Sequence, residues 1–341
     1  MPNKSFSVRI KHKIKPFSKT IKVDSDKSLS IRSFLLGSIC QNISTVNNVL
    51  ESGDVKSAIK TCQKLGVVIK KIRPKSYKIY GKGLGSLYIK KNAELNFGNS
   101  GTLARLLLGI LSTTPNINIK IRGDHSLNKR SMKKLINLLS KFGATFLPIN
   151  KYTFPLKMIS SEMPVGIKYK AGVSAQLKSA VLLAGLNSYG NTIIEEQIIS
   201  RDHTENLLMK NIQSIKIFKK KKKIIKVKGK SYLNPLNLNI GGDPSSAAFF
   251  AALTLLNKNS TLKIKNVGLN PTRTGFYEIL KKQKVKINFK NIIKDNNEIR
   301  GDILIKSSKL KPMNVPASLY PRTTDEYLIL FVLASLTNGV S

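Results

Sequence analysis

A cap of Gly, Ser, Thr or Asp followed by an apolar, small-residue-rich segment recurs along the chain, and this recurrence constrains the fold more than any other feature. It occurs at Lys27-Ser28-Leu29-Ser30, Gly98-Asn99-Ser100-Gly101-Thr102, Gly172-Val173-Ser174-Ala175-Gln176, Gly241-Gly242-Asp243-Pro244-Ser245-Ser246 and Thr324-Asp325-Glu326. Counted from residues 27, 98, 172, 241 and 325, the intervals are 71, 74, 69 and 84 residues. Between these caps lie amphipathic segments, Asp54 to Leu65, Ser131 to Phe142, His203 to Ser214 and Thr274 to Gln283, and β-branched runs such as Ile117 to Ile121, Thr192 to Ile194 and Leu262 to Ile264. Each unit therefore reads as two helices with several strands, giving an α/β architecture of repeated modules. A helix N-terminus offers free N–H donors and the positive dipole end, so several converging on one cleft would trap anions. One such cap alone merely closes a buried helix; five in register favour the shared anion site.

Composition narrows the class. At 341 residues the chain suits two domains, and 41% hydrophobic residues can bury a core. The longest apolar stretches, Phe249 to Leu256 and Tyr327 to Ser335, are shorter than the ~18 to 20 residues that cross a bilayer. The start Met1-Pro2-Asn3-Lys4-Ser5 leads into alternating basic and apolar residues with no secretory signal pattern, so a cytoplasmic protein is expected. Cys40 and Cys62 lack motif spacing and are expected to be reduced and structural. The net charge of +41 would ordinarily suggest nucleic acid. Yet ten of the 59 basic residues are Arg, and the remaining Lys are spread along the chain rather than gathered in a patch. The densest run, Lys219 to Lys223, sits between alternating segments that predict a hairpin with a solvated Lys face. With 7% aromatic residues and no Trp, stacking platforms for single strands are scarce.

Six segments in order are specific enough to carry a resemblance: Asp26-Lys27-Ser28-Leu29-Ser30-Ile31-Arg32, Gly98 to Thr102, Ser126-Leu127-Asn128-Lys129-Arg130, Ser174 to Ala180, Ser200-Arg201-Asp202-His203-Thr204-Glu205 and Gly242 to Phe250. Together with Asn270-Pro271-Thr272-Arg273 and Asp325-Glu326 they resemble EPSP synthases (3-phosphoshikimate 1-carboxyvinyltransferases) of the second bacterial class, over nearly the whole chain. The resemblance implies a two-domain, inside-out α/β barrel of repeated βαβαββ units. Residues 1 to 22 with 241 to 341 would form one lobe and 23 to 240 the other, closing over the substrates. It also implies transfer of the enolpyruvyl group of phosphoenolpyruvate to the 5-hydroxyl of shikimate 3-phosphate, releasing phosphate, by a cytoplasmic monomer with no cofactor, metal, nucleic acid or membrane partner. Both substrates carry a phosphate and a carboxylate, so fixed cations and helix N-termini must gather charges that repel one another.

Carried over residue by residue, the resemblance assigns Lys27 to both substrates and Ser28 and Arg32 to the shikimate moiety. If residues 28 to 32 open a helix, that pair lies one turn apart on one face. Asn99, Gly101, Arg130 and Gln176 would meet phosphoenolpyruvate, with glyphosate competing at Gly101. Ser174, Ala175, Gln176, Ser200 and Arg201 would hold shikimate 3-phosphate. Asp325, catalytic with Lys27, would contact the ring hydroxyls and accept the 5-hydroxyl proton; the oxygen then attacks C2 of phosphoenolpyruvate, and a tetrahedral intermediate collapses with loss of phosphate. His203 reads as a structural, hydrogen-bonded histidine, and Asp202 and Glu205 read as helix caps rather than metal ligands.

The family continues for roughly one more module past the position matching Ser341, carrying an Arg-Val-Lys-Glu-type motif and further phosphoenolpyruvate-binding residues. The polypeptide as given is therefore expected to bind weakly, to turn over poorly and to expose apolar faces in its first lobe. Two alternatives stand beside this reading. One is a UDP-N-acetylglucosamine enolpyruvyl transferase, which uses a Pro-Gly-Cys-type loop that neither cysteine resembles; the other is a basic nucleic-acid-binding protein.

Overall fold

The computed structural model describes residues 7–9, 11–219 and 222–341. The sequence-based readings of Met1 to Ser5 and of Lys220 and Lys221 lie outside them. In chain order the first module comprises β1 (Ser18–Lys22), α1 (Lys27–Ile39), β2 (Ile43–Asn47), α2 (Gly53–Lys64), β3 (Val68–Arg73) and β4 (Ser76–Tyr80). The second comprises β5 (Glu94–Asn96), α3 (Gly101–Leu111), β6 (Asn118–Arg122), α4 (His125–Asn128), α5 (Lys133–Ser140), β7 (Thr145–Leu147) and β8 (Leu156–Ile159). The third has β9 (Lys168–Ala171), α6 (Ala175–Leu186), β10 (Asn191–Glu196), α7 (His203–Leu208), β11 (Ile215–Lys219) and β12 (Lys223–Lys228). The fourth has β13 (Asn237–Asn239), α8 (Pro244–Leu256), β14 (Thr261–Gly268), α9 (Gly275–Lys282), β15 (Ile287–Asp295) and β16 (Glu298–Lys306), and α10 (Tyr320–Thr323) and α11 (Tyr327–Ser335) follow.

The modules become four four-stranded sheets of one pattern, in which a parallel edge strand is followed by three antiparallel-linked strands. Their orders are β13-β2-β4-β3, β5-β6-β8-β7, β9-β10-β12-β11 and β1-β14-β16-β15. Two edge strands are exchanged between modules. β1 leaves its own module to pair with β14, Ser18 opposite Thr261, and β13 takes the vacant place beside β2, Asn237 opposite Thr45.

Where the cap signals fall, helices begin. Asp26, Ser100, Ser174 and Asp243 each accept a hydrogen bond from a backbone N–H of the first turn of α1, α3, α6 and α8. α1, α3 and α6 lie inside the sheets, and every residue of α1 from Leu29 to Ile39 is buried, whereas α8 leaves Phe249 and Phe250 exposed. Small residues let backbones touch. A methyl at Gly109 of α3 would lie 2.5 Å from the Ala180 carbonyl oxygen of α6, so only glycine permits that crossing. Buried apolar residues from Leu29 to Ile240 form one cluster under three sheets, and those from Ala247 to Leu333 form a second under the fourth.

Three local expectations change in the fold. The amphipathic segment from His203 is helical only to Leu208, and the chain then turns, with Asn211 accepting from the Asn234 amide. The hairpin of β11 and β12 forms, but Lys223 is buried in place of standing on a solvated face, because two carboxylates meet it inside. Cys40 and Cys62 are free and buried, and burial pushes their thiols up to about 12 and about 11.

Candidate active site

Two guanidinium groups converge on the start of α3. Arg130 donates to Asn99 Oδ1 at 3.2 Å, and Arg105, one helical turn past Gly101, donates to the Gly101 carbonyl at 3.1 Å and to Gln176 Oε1 at 3.0 Å. Gln176 returns a hydrogen bond to Thr102 Oγ1 at 2.9 Å, tying α6 to α3. A methyl on Gly101 would stand 2.7 Å from Arg105 Nη1 and 3.3 Å from Arg130 Nη1. Burial and the neighbouring Arg130 charge lower the pKa of Arg105, so the pair repels until an anion joins it. The groove beside them is lined by Arg105, Ser131, Lys133, Lys134, Tyr169 and Ser174.

At the start of α1, Asp26 Oδ1 accepts from the Leu29 amide at 2.8 Å, and Ser28 and Arg32 meet one turn apart, Arg32 donating to the Ser28 hydroxyl. Arg32 is buried. Its Nε donates to Thr204 Oγ1 at 2.9 Å and Nη2 reaches Ser179 Oγ at 3.4 Å, so α7 and α6 hold the guanidinium rigid. Burial lowers its pKa to about 10, which leaves it charged at neutral pH. Lys27 instead turns to Asp54 of α2, 3.2 Å away, and is half exposed.

Between the three-sheet body and the fourth-sheet body, charges interlock. Arg201 Nη2 lies 2.7 Å from Asp325 Oδ2, and Arg273 Nη2 is 3.8 Å from the same oxygen. Arg273 also reaches Asp26 at 3.4 Å and Asp243 at 3.6 Å and donates to Ser245 Oγ at 2.8 Å, joining the caps of α1 and α8. Burial would raise the Asp26 carboxyl, but Arg273 and then His203 outweigh it and hold it below its ordinary value. Asp243 goes the other way, raised by burial and by Asp26. His203 is buried with Nδ1 2.8 Å from Glu298 Oε1, a structural role as its context suggests. Asp202 holds the N-cap position of α7, but its side chain makes no capping hydrogen bond. It accepts from Asn270 at 2.9 Å and Thr272 at 3.2 Å across the joint, because those donors approach its carboxylate from the fourth-sheet body. Glu205 does not cap either, since it is drawn inward to Lys178 and Lys223.

The fold thus brings Asn99, Gly101, Arg130 and Gln176 together, sets Ser28 beside Arg32, and joins Arg201 to Asp325 across the two bodies. Ser174 caps α6, Oγ accepting from Leu177, with Ala175 the first helical residue. Lys27, paired with Asp54, and Ser200 are the exceptions among the expected contacts: Ser200 is buried and its hydroxyl donates to Glu196 at 2.8 Å, away from the cleft. Arg105 and the buried joint residue Arg273 are the site's additional cations. The spacing of Arg105, four residues after Gly101 on the expected helix, is the signal that marks the first; Arg273 has only its segment.

Comparison with known proteins gives a consistent answer. Residues 11–341 match the family model for EPSP synthase (3-phosphoshikimate 1-carboxyvinyltransferase). The chain is 37% identical over 334 residues to a 3-phosphoshikimate 1-carboxyvinyltransferase of Zymomonas mobilis, covering 97% of this chain and 73% of that protein. It is 38% identical over 337 residues to the protein of the same name from Sulfurihydrogenibium, covering 96% and 76%. Among solved structures, an EPSP synthase of Acinetobacter baumannii superimposes with a TM-score of 0.84 at 33% identity, covering 95% of this chain and 73% of that one. The enolpyruvyl transferase NikO of Streptomyces tendae, at 12% identity and TM-score 0.68, shares the fold.

Proposed function

This chain belongs to the EPSP synthase family, and we propose from that premise how its residues divide the work of 3-phosphoshikimate 1-carboxyvinyl transfer. The substrates are shikimate 3-phosphate and phosphoenolpyruvate. Arg32, Ser28, Arg201 and the α6 start at Ser174, Ala175 and Gln176 bind shikimate 3-phosphate. Arg105 and Arg130 clamp phosphoenolpyruvate over Gly101 and Asn99. Asp325 accepts the proton of the 5-hydroxyl as the hydroxyl oxygen bonds to C2 of phosphoenolpyruvate and the C2=C3 π pair takes a proton at C3; the tetrahedral intermediate then loses phosphate from C2 and a proton from C3, which restores the double bond. Lys27 must leave Asp54 to reach either substrate, and Ser200 must rotate from Glu196 to donate to a phosphate. The three-sheet and fourth-sheet bodies act as the two lobes, with boundaries near residues 22 and 240.

The observation that carries this reading is Asp325, from the fourth-sheet body, whose Oδ2 stands 2.7 Å from Arg201 of the other body and 3.8 Å from Arg273. A carboxylate with two cations at one oxygen leaves the other oxygen to accept from a ring hydroxyl. Calorimetric titration with shikimate 3-phosphate, with UDP-N-acetylglucosamine and with duplex DNA tests it. Saturable binding of the first at physiological salt is expected; heat no greater than for the other two overturns the assignment.

A further inference from the structure

Behind the turn that carries Arg201 lies a closed square of four buried charges. Lys178 Nζ is 2.7 Å from Glu196 Oε1 and 2.7 Å from Glu205 Oε1. Lys223 Nζ is 3.1 Å from Glu196 Oε2 and 3.2 Å from Glu205 Oε1. Lys178, Glu196 and Glu205 side chains are 0% exposed and that of Lys223 4%. Such a square costs desolvation that an apolar core would not, so it is weak as a device for stability alone. Its two positive and two negative charges cancel, so it adds nothing to the cleft's net potential.

What it does add is geometry. Glu196 Oε1 accepts from the Ser200 amide at 3.1 Å and from its hydroxyl at 2.8 Å, while Lys178 donates to the Ser200 carbonyl at 3.4 Å. All three polar groups of Ser200 are therefore fixed, and Arg201 follows directly. Lys178 lies one turn into α6 from Ser174, and its neighbour Ser179 shares a 2.8 Å hydrogen bond with Thr204, the residue that holds Arg32. Glu205 is next to Thr204. One buried square thus touches or adjoins the α6 start, the Ser200–Arg201 turn and the support of Arg32.

We propose that Glu196 and Lys178 are positioning residues that set the shikimate 3-phosphate pocket, acting through the Ser200 backbone amide and carbonyl, Arg201 and α6 rather than by touching the substrate. This rests on the reading above that these elements bind that ligand. The test uses the full chain, with shikimate 3-phosphate and phosphoenolpyruvate as separate probes, and melting followed in parallel. Glu196→Gln keeps the side-chain shape and removes one charge. It is expected to weaken shikimate 3-phosphate about tenfold or more, as misplaced binding groups do, with phosphoenolpyruvate affinity changed less than about twofold. The paired variant Lys178→Met with Glu196→Leu removes a neutral pair. It should regain the melting temperature lost in Glu196→Gln but not the affinity. If either variant melts lower yet binds shikimate 3-phosphate as the parent does, the square is only structural and the inference is overturned. Recovery of affinity in the paired variant overturns it too. Failure of the unaltered chain to bind shikimate 3-phosphate sinks the functional reading itself, and this inference with it; a parent that binds while Glu196→Gln binds equally sinks the inference alone.

Discussion

The same module builds both bodies, yet they handle it differently. In the three-sheet body the inner helices α1, α3 and α6 pack against one another and are covered on every side. In the fourth-sheet body α8 meets α11, and outward faces stay open: Phe249 is 64% exposed, Phe331 62% and Leu328 76%. An all-round apolar helix is buried only when neighbouring modules close around it. Its sequence demands the company but does not supply it. Exposed aromatic and aliphatic side chains gathered on one face favour association. The charged groups are divided too: Arg32, Arg105, Arg130 and Arg201 belong to the three-sheet body, Asp325 to the fourth-sheet body.

Three measurements would break or sharpen the contrast. The largest effect is expected at the carboxylate. If Asp325 takes the hydroxyl proton as proposed, Asp325→Asn should lower single-turnover product formation by about 10²- to 10⁴-fold with little change in melting temperature, its side chain being half exposed. Equal loss on Phe331→Ala would show that the division between chemistry and surface is wrong. Next comes packing. Phe34→Ala in the closed core should cost about 3 to 5 kcal/mol in urea unfolding, whereas Phe331→Ala should cost less than about 0.5 kcal/mol and reduce self-association. Similar costs at both sites would mean that the α11 face is covered in solution.

The smallest effect concerns the joint. Because Asp26 is held below its ordinary carboxylate range, its contribution is present above that range and disappears as pH falls through the folded value. Unfolding followed from pH 7 to pH 3 should show the parent losing stability that Asp26→Asn no longer has to lose, Asn being an equally good cap. Asp243, raised, contributes with the opposite sign and should flatten the acid limb in both proteins. Parallel acid limbs would show that the Asp26–Arg273 contact does not couple the bodies.

Much of the site was legible because its signals are local. Ser100, Ser174 and Asp243 announce helix starts by residue type, while the first start, read at Lys27-Ser28, is capped one residue earlier by Asp26; Gly101, Arg130 and Gln176 lie near one another at the start of α3. The buried square was not legible. Lys223 sits in a run of lysines that reads as solvated, and Glu205 reads as a cap, since neither residue's sequence neighbours reveal the carboxylate or ammonium that meets it from another element. Ser200 misled for the same reason, as its hydroxyl has a partner four residues back on β10 that competes with any ligand.

By itself the sequence determined the module, its repeat and the caps, for these depend on hydrogen bonds and apolar periods within a few residues. The resemblance assigned residues 1 to 22 to the lobe of 241 to 341, but only tertiary structure decided the strand partners and register, β1 beside β14 and β13 beside β2, and that Lys178 and Lys223 go inside. Pairings separated by some two hundred residues leave no local trace, and a buried charge becomes tolerable only once its distant counter-charges arrive.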